Sequence, residues 1–129
     1  MKIVIETIPH MHQRYNTIGD WQWENGNLYI KVSDMGDWRK EFLVGLHEVI
    51  ETMLCKAAGV TEEEVDAFDL SHPEIHEPGD EETCPYHPMH LRAMGIEEMV
   101  MNYLNIDCVS YEKVMEDLQN ERDAKEKVT

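Results

Sequence analysis

The sequence predicts an α+β protein, an amino-terminal three-stranded antiparallel sheet packed on about four helices, and three observations carry that reading. The chain opens with an alternating, β-rich run and follows it with an Asn25-Gly26 hairpin signal, since both residues tolerate positive φ. From about Trp38 to Ala58 apolar residues recur at helical spacing. Beyond Gly59 two further start signals each lead into an amphipathic run. With 129 residues and 42% hydrophobic content, the chain suits a single domain over residues 1–119, followed by a charged tail over 120–129.

The elements follow in order. Lys2 to Ile8 reads as a strand that Pro9 stops. Trp21 to Val32 reads as two strands around the Asn-Gly turn, with Trp21 and Trp23 on one face for burial against a helix. Asp34 or Asp37 caps the first long helix, and Gly59 ends it. Its stripe is Phe42, Leu43, Leu46, Ile50, Met53, Leu54 and Ala57, which puts His47 at the stripe's edge and Glu51 just outside it. Thr61-Glu62-Glu63-Glu64 is a capping box for a short helix using Val65, Phe68 and Leu70. Residues 71–85, rich in proline and acids, form a loop. Pro85 or Pro88 starts a helix to about Leu104, with His90 and Glu97 along one edge of its apolar stripe. A last helix from about Ser110 uses Val114, Met115 and Leu118 before a frayed end.

Composition narrows the function classes. The net charge is −16, and residues 61–129 carry −14 of it. Such a field repels phosphates, so direct nucleic-acid binding is disfavoured, and the acidic half suits either a solvated surface or a basic protein partner. No apolar run approaches the roughly 18 residues that span a bilayer. The start, Met1-Lys2-Ile3-Val4-Ile5-Glu6, lacks the pattern of a signal peptide, and Cys55, Cys84 and Cys108 form no C-x-x-C pair. A cytoplasmic protein with reduced thiols is the expectation.

The chemistry concentrates in Leu46-His47-Glu48-Val49-Ile50-Glu51. His47 and Glu51, four residues apart, share a helix face and can offer an imidazole nitrogen and a carboxylate oxygen to one divalent ion. A catalytic zinc typically takes three protein ligands, so His90 or Glu97 on the second long helix must supply at least one more. The candidate ligands are therefore His47, Glu51, His90 and Glu97, with Glu48 as the general base that takes a proton from water. Mixed imidazole and carboxylate donors suit Zn2+ best and admit Mn2+, Fe2+ or Ni2+. The competing reading makes His47 a core-edge histidine bonded to Glu51, with Glu48 solvated. A second constellation, Cys84, His87 and His90 with Cys108, His72 or His76, has the spacing of a structural zinc knuckle. Asp66 and Asp69 are candidates to orient a ligand histidine. His10 and His12 are expected to be solvated.

The order strand, Asn-Gly hairpin, S-D-M-G-D-W-R-K-E-F, L-H-E-V-I-E-T-M-L-C-K, V-D-A-F-D, E-P-G-D and P-Y-H-P-M-H resembles a family of small uncharacterised bacteriophage proteins over roughly residues 1–111. That resemblance implies a host-cytoplasmic location and no particular activity. The H-E-x-x-E helix behind a small sheet also looks like a minimal zincin metallopeptidase core. On that likeness His47 matches the first ligand and Glu48 the base, while Glu51 stands where a histidine is usual. Three classes follow: a zincin-like metal-dependent hydrolase, a Mg2+- or Mn2+-dependent nucleotide or phosphoester hydrolase, and a non-enzymatic acidic accessory or inhibitory protein that binds a basic host protein.

Overall fold

Leu28, Ile30 and Val32 point to one side of strand β3 (Asn27–Ser33) and all three are fully buried, which makes this strand the centre of the sheet. In the computed structural model, which describes residues 1–128, the strand order is β1-β3-β2, with β1 at Ile3–Ile8 and β2 at Gly19–Glu24. The β2–β3 pair is the expected antiparallel hairpin, turning through Asn25 (φ 51°) and Gly26 (φ 76°). β1, however, pairs parallel to β3, Ile3 opposite Leu28 and Ile8 opposite Ser33, so the sheet is mixed where a purely antiparallel one was expected. The reason lies in the connection. Residues 9–18 are too long and too anchored for a tight hairpin. Gln13 Nε2 donates to the carbonyls of Ile18 and Lys31, and His10 Nδ1 lies 2.7 Å from Ser33 Oγ. The chain therefore passes over the end of the sheet before β2 begins, and the strand apolar enough for the middle is β3.

Helix α1 (Trp38–Ala58) matches the predicted span, and the Asp37 side chain caps it by accepting from the Arg39 N–H at 3.0 Å. It lies between the sheet and helix α3 (His87–Tyr103). Its inward face differs from the predicted stripe. Leu43, Val44, His47, Glu51, Thr52 and Cys55 are buried, whereas Phe42 is 43% exposed. His47 and Glu51 thus stand in the middle of the packed face rather than at its margin. Helix α2 (Glu62–Ser71) starts with the full capping box of Thr61 and Glu64. A short 3-10 turn, Pro78–Asp80, interrupts the loop that follows.

Helix α4 runs from Cys108 to Val128 without a break, so residues 120–128 are helical and not the frayed tail expected. Two buried polar side chains explain this. Arg122 Nη1 donates to the carbonyls of His10, Gln13 and Tyr15, at 3.1, 3.0 and 3.1 Å, and Gln119 Nε2 donates to the carbonyls of Asn16 and His76. The end of α4 is clamped to the loop before β2, and its flank closes a cavity formed with β2, α1, α3 and the 3-10 turn. Among the described residues, no helix is long and apolar enough to cross a membrane.

Candidate metal centre

Three side chains from two helices converge at the floor of this cavity. His47 Nε2 lies 2.9 Å from Glu51 Oε2 and 3.1 Å from His90 Nδ1, and His90 Nδ1 lies 3.0 Å from Glu51 Oε2. The i,i+4 spacing on α1 sets the first pair on one face, and α3 crosses α1 so that buried His90 meets them. The three donors form a nearly equilateral triangle and make a group that can hold a metal ion. Three donors 2.9 to 3.1 Å apart would offer a divalent ion a facial set of ligands beside the cavity.

The outer bonds of both imidazoles fit the same purpose. His47 Nδ1 donates to Glu97 Oε1 at 2.7 Å, and His90 Nε2 donates to Asp80 Oδ1 at 2.9 Å. A carboxylate on the far nitrogen of a ligand histidine fixes its tautomer and raises its basicity. Here both histidines have one, and each thereby turns its other nitrogen inward. Glu97, expected among the ligands, is instead the brace of His47, and its second oxygen accepts the Tyr111 phenol of α4. Asp80 carries no spacing signal in the sequence. It reaches His90 because the 3-10 turn lies flat on the imidazole. A Cβ on Gly79 would come within 2.6 Å of His90 Cγ and Nδ1, so only glycine allows that approach.

The charges at this centre are strongly coupled. Burial opposes a charge on His47, but hydrogen bonds to Glu51 and Glu97 outweigh it and raise its pKa to about 11. His90 is raised as well, burial being outweighed by its bond to Glu51. Burial likewise works to raise Glu51, yet bonds from both histidines hold it below the usual carboxylate range. In the metal-free protein a proton on His47 thus sits where a divalent ion would bind, flanked by Glu51.

Glu48 lines the same cavity. Its carboxylate receives no hydrogen bond among the described residues, and burial, then the neighbouring Glu51, push its pKa well above normal. It packs against β2 where Gly19 leaves room, since a Cβ there would lie 2.8 Å from Glu48 Cγ and Oε1. Of the competing picture, the His47–Glu51 hydrogen bond is present, and Glu48 is half-buried at the cavity wall.

The other candidates go elsewhere. His87 Nδ1 bonds the Gly79 carbonyl at 2.8 Å, His72 the Phe68 carbonyl at 2.7 Å, and His76 the Asp123 carboxylate at 2.7 Å. Cys108 is exposed on α4 while Cys84 is buried, so the zinc knuckle does not assemble among the described residues. Asp66 pairs with Arg14, and Asp69 accepts the phenols of Tyr15 and Tyr86 at 2.9 and 2.7 Å, so neither orients a ligand histidine. His12 is exposed as expected, but His10 is buried between Ser33 and Asn16. Against family models, curated proteins and solved structures, the chain finds no match.

Proposed function

We propose that the protein is a divalent-metal-dependent hydrolase whose ion is held by His47, Glu51 and His90, with Glu48 as general base. The observation that carries this reading is the doubly braced triangle, two imidazoles each backed by a carboxylate and aimed with Glu51 at one point. Two histidines and a glutamate are an established donor set for catalytic zinc, and three ligands leave room for water and substrate. Here the glutamate follows on the first helix and the second histidine comes from α3, so the departure from H-E-x-x-H changes the order of the donors and not their kind. The facial spacing suits Fe2+ or Mn2+ as well as Zn2+.

A bound ion supplies Lewis acidity and lowers the pKa of water towards neutrality. The protein does the rest. Glu48, which receives no hydrogen bond among the described residues and whose carboxyl burial holds above the ordinary carboxylate range, would take a proton from the attacking water. The water oxygen then bonds to the substrate's electrophilic carbon, the bond to the leaving group breaks, and Glu48 returns the proton to the departing atom. Glu97 and Asp80 hold the imidazoles still throughout.

The test is elemental analysis by plasma mass spectrometry of untagged wild type, His47→Ala and His90→Ala, followed by activity screens on peptide and ester substrates. Near-stoichiometric metal that is lost in both variants is the expected result. No metal after supplementation with zinc, iron and manganese overturns the reading.

A further inference from the structure

Strand β1 is an edge of the sheet, and its hydrogen-bonding phase can be read from its two ends. The Leu28 N–H donates to the Lys2 carbonyl at 2.9 Å, and the Asp34 N–H donates to the Ile8 carbonyl at 2.7 Å. Alternate residues of a strand bond to a given neighbour, so Lys2, Val4, Glu6 and Ile8 turn their main chain towards β3 while Ile3, Ile5 and Thr7 turn theirs outward. Among the described residues, no hydrogen bond takes up those outward groups. The usual protections of an edge are missing as well. Ile3–Ile8 holds no proline, lysine or bulge, and its register with β3 is unbroken.

The side chains beside this edge are apolar. Ile5 faces α1, where a Cβ on Gly45 would meet it at 3.0 Å, and Ile3 shares that face by strand period. The two remain 41% and 43% exposed, Ile3 and Ile5 respectively, and Phe42 stands exposed three residues before Gly45. No β1 residue lines the cavity of the metal centre.

We propose that the protein is a two-fold dimer in which the β1 strands of two copies pair antiparallel, with Ile5 on the axis, to make one continuous sheet. The edge is complementary to itself in that register. Ile3 stands opposite Thr7 of the second copy and Ile5 opposite Ile5, so each outward N–H meets an outward carbonyl. The exposed isoleucines of both copies come together on the α1 face. Glu6 faces Val4 of the second copy and lies diagonal to its Lys2, an opposite charge within reach of a long side chain. A slip of two residues one way sets Glu6 against Glu6, and a slip the other way sets Thr7 against Met1, outside the strand. The long-range field agrees with this choice of face. Residues 1–60 carry 6 Lys or Arg against 8 Asp or Glu, a balance of −2 out of −16, so two copies meet through the half with the least charge. The inference stands apart from the metal-centre reading.

The experiment is sedimentation velocity on a dilution series of the untagged chain, joined to amide hydrogen exchange by nuclear magnetic resonance. The mass should double as concentration rises. In the dimer the amides of Ile3, Ile5 and Thr7 should slow by about tenfold or more relative to the dilute monomer, while those of Val4, Glu6 and Ile8 are protected in both. Thr7→Pro removes a donor that the monomer leaves unused, and Ile5→Lys places two ammonium groups face to face on the axis. Each should give a monomer with the circular dichroism of wild type. Met99→Lys with Val109→Lys, at exposed apolar positions on α3 and α4, should leave the dimer intact. If Ile5→Lys does not fold, Thr7→Pro and the exchange pattern decide. A monomer at every concentration, an assembly larger than two copies, a dimer whose Ile3, Ile5 and Thr7 amides exchange as in the monomer, a dimer that survives Thr7→Pro, or loss of the dimer in the helix variant overturns the proposal.

Discussion

At the scale of single residues, the centre depends on which atom of each side chain faces inward. Glu48→Gln keeps the shape of the side chain and removes its basicity, so metal content should stay at the wild-type level while kcat falls by about 10²- to 10⁴-fold. Retained turnover in that variant would leave Glu48 without its role. Glu97→Gln replaces the anionic brace of His47 with a neutral amide. Metal affinity, measured by competition with a chelator, should drop by about 10- to 100-fold, and an unchanged affinity would show that the brace is idle. Helical periodicity made His47, Glu51, His90 and Glu97 legible as one facing group, because it fixes which side of a helix a residue occupies. It does not fix side-chain reach, and so it could not separate Glu97, which bonds the outer nitrogen of His47, from His90, which joins the triangle. Asp80 was beyond reading, since a loop residue ten positions before its histidine has no period to betray it.

At the scale of elements, the Pro78–Asp80 turn and helix α3 act as one unit, because the turn lies on the imidazole that α3 presents. Gly79→Ala puts a methyl into the His90 ring, so metal affinity should fall sharply while far-ultraviolet circular dichroism stays the same. Gly95→Ala, on the same helix with open space around its Cβ, should keep full affinity and stabilise the fold by about 0.5–1 kcal/mol in urea titration. Loss of affinity in both, or in neither, would refute a role for the close approach. The long elements were readable because caps and periods are local: α1 ends where Asp37 and Gly59 place its bounds, and α2 starts on its capping box. The direction of β1 was not, because parallel or antiparallel pairing is decided by which strand takes the centre and by ten residues of connection, and neither leaves a mark within β1 itself.

At the scale of the whole molecule, the acidity visible in the composition is turned partly inward, and this fixes how stability varies with pH. In the metal-free protein His47 is raised to about 11, so its contribution is complete below its ordinary 6.5 and is lost as pH rises towards 11. Burial raises Asp69 to about 6, so its contribution is complete below 3.8 and lost as pH climbs through 6. Glu48 and His90 are shifted in the same direction, and His10, lowered by burial, works against them only as pH falls below about 6.5. The folded state thus holds more protons than the unfolded one, and Tm should decline from about pH 6 to pH 9. Saturating zinc should flatten that decline by replacing the proton at the centre, which differential scanning calorimetry at four pH values would show. A metal-free Tm that rises with pH would contradict the inward placement of these acids. The clamp of Arg122 on three carbonyls more than a hundred positions behind it adds an order in time. Helix α1, which carries His47 and Glu51, forms its own backbone bonds locally, whereas α4 can seal its side of the cavity only after contacts across more than a hundred residues have closed. If the centre binds an ion as proposed, zinc added during refolding should be taken up faster than zinc added to the folded protein, which stopped-flow with a zinc indicator would show; equal rates would contradict this order.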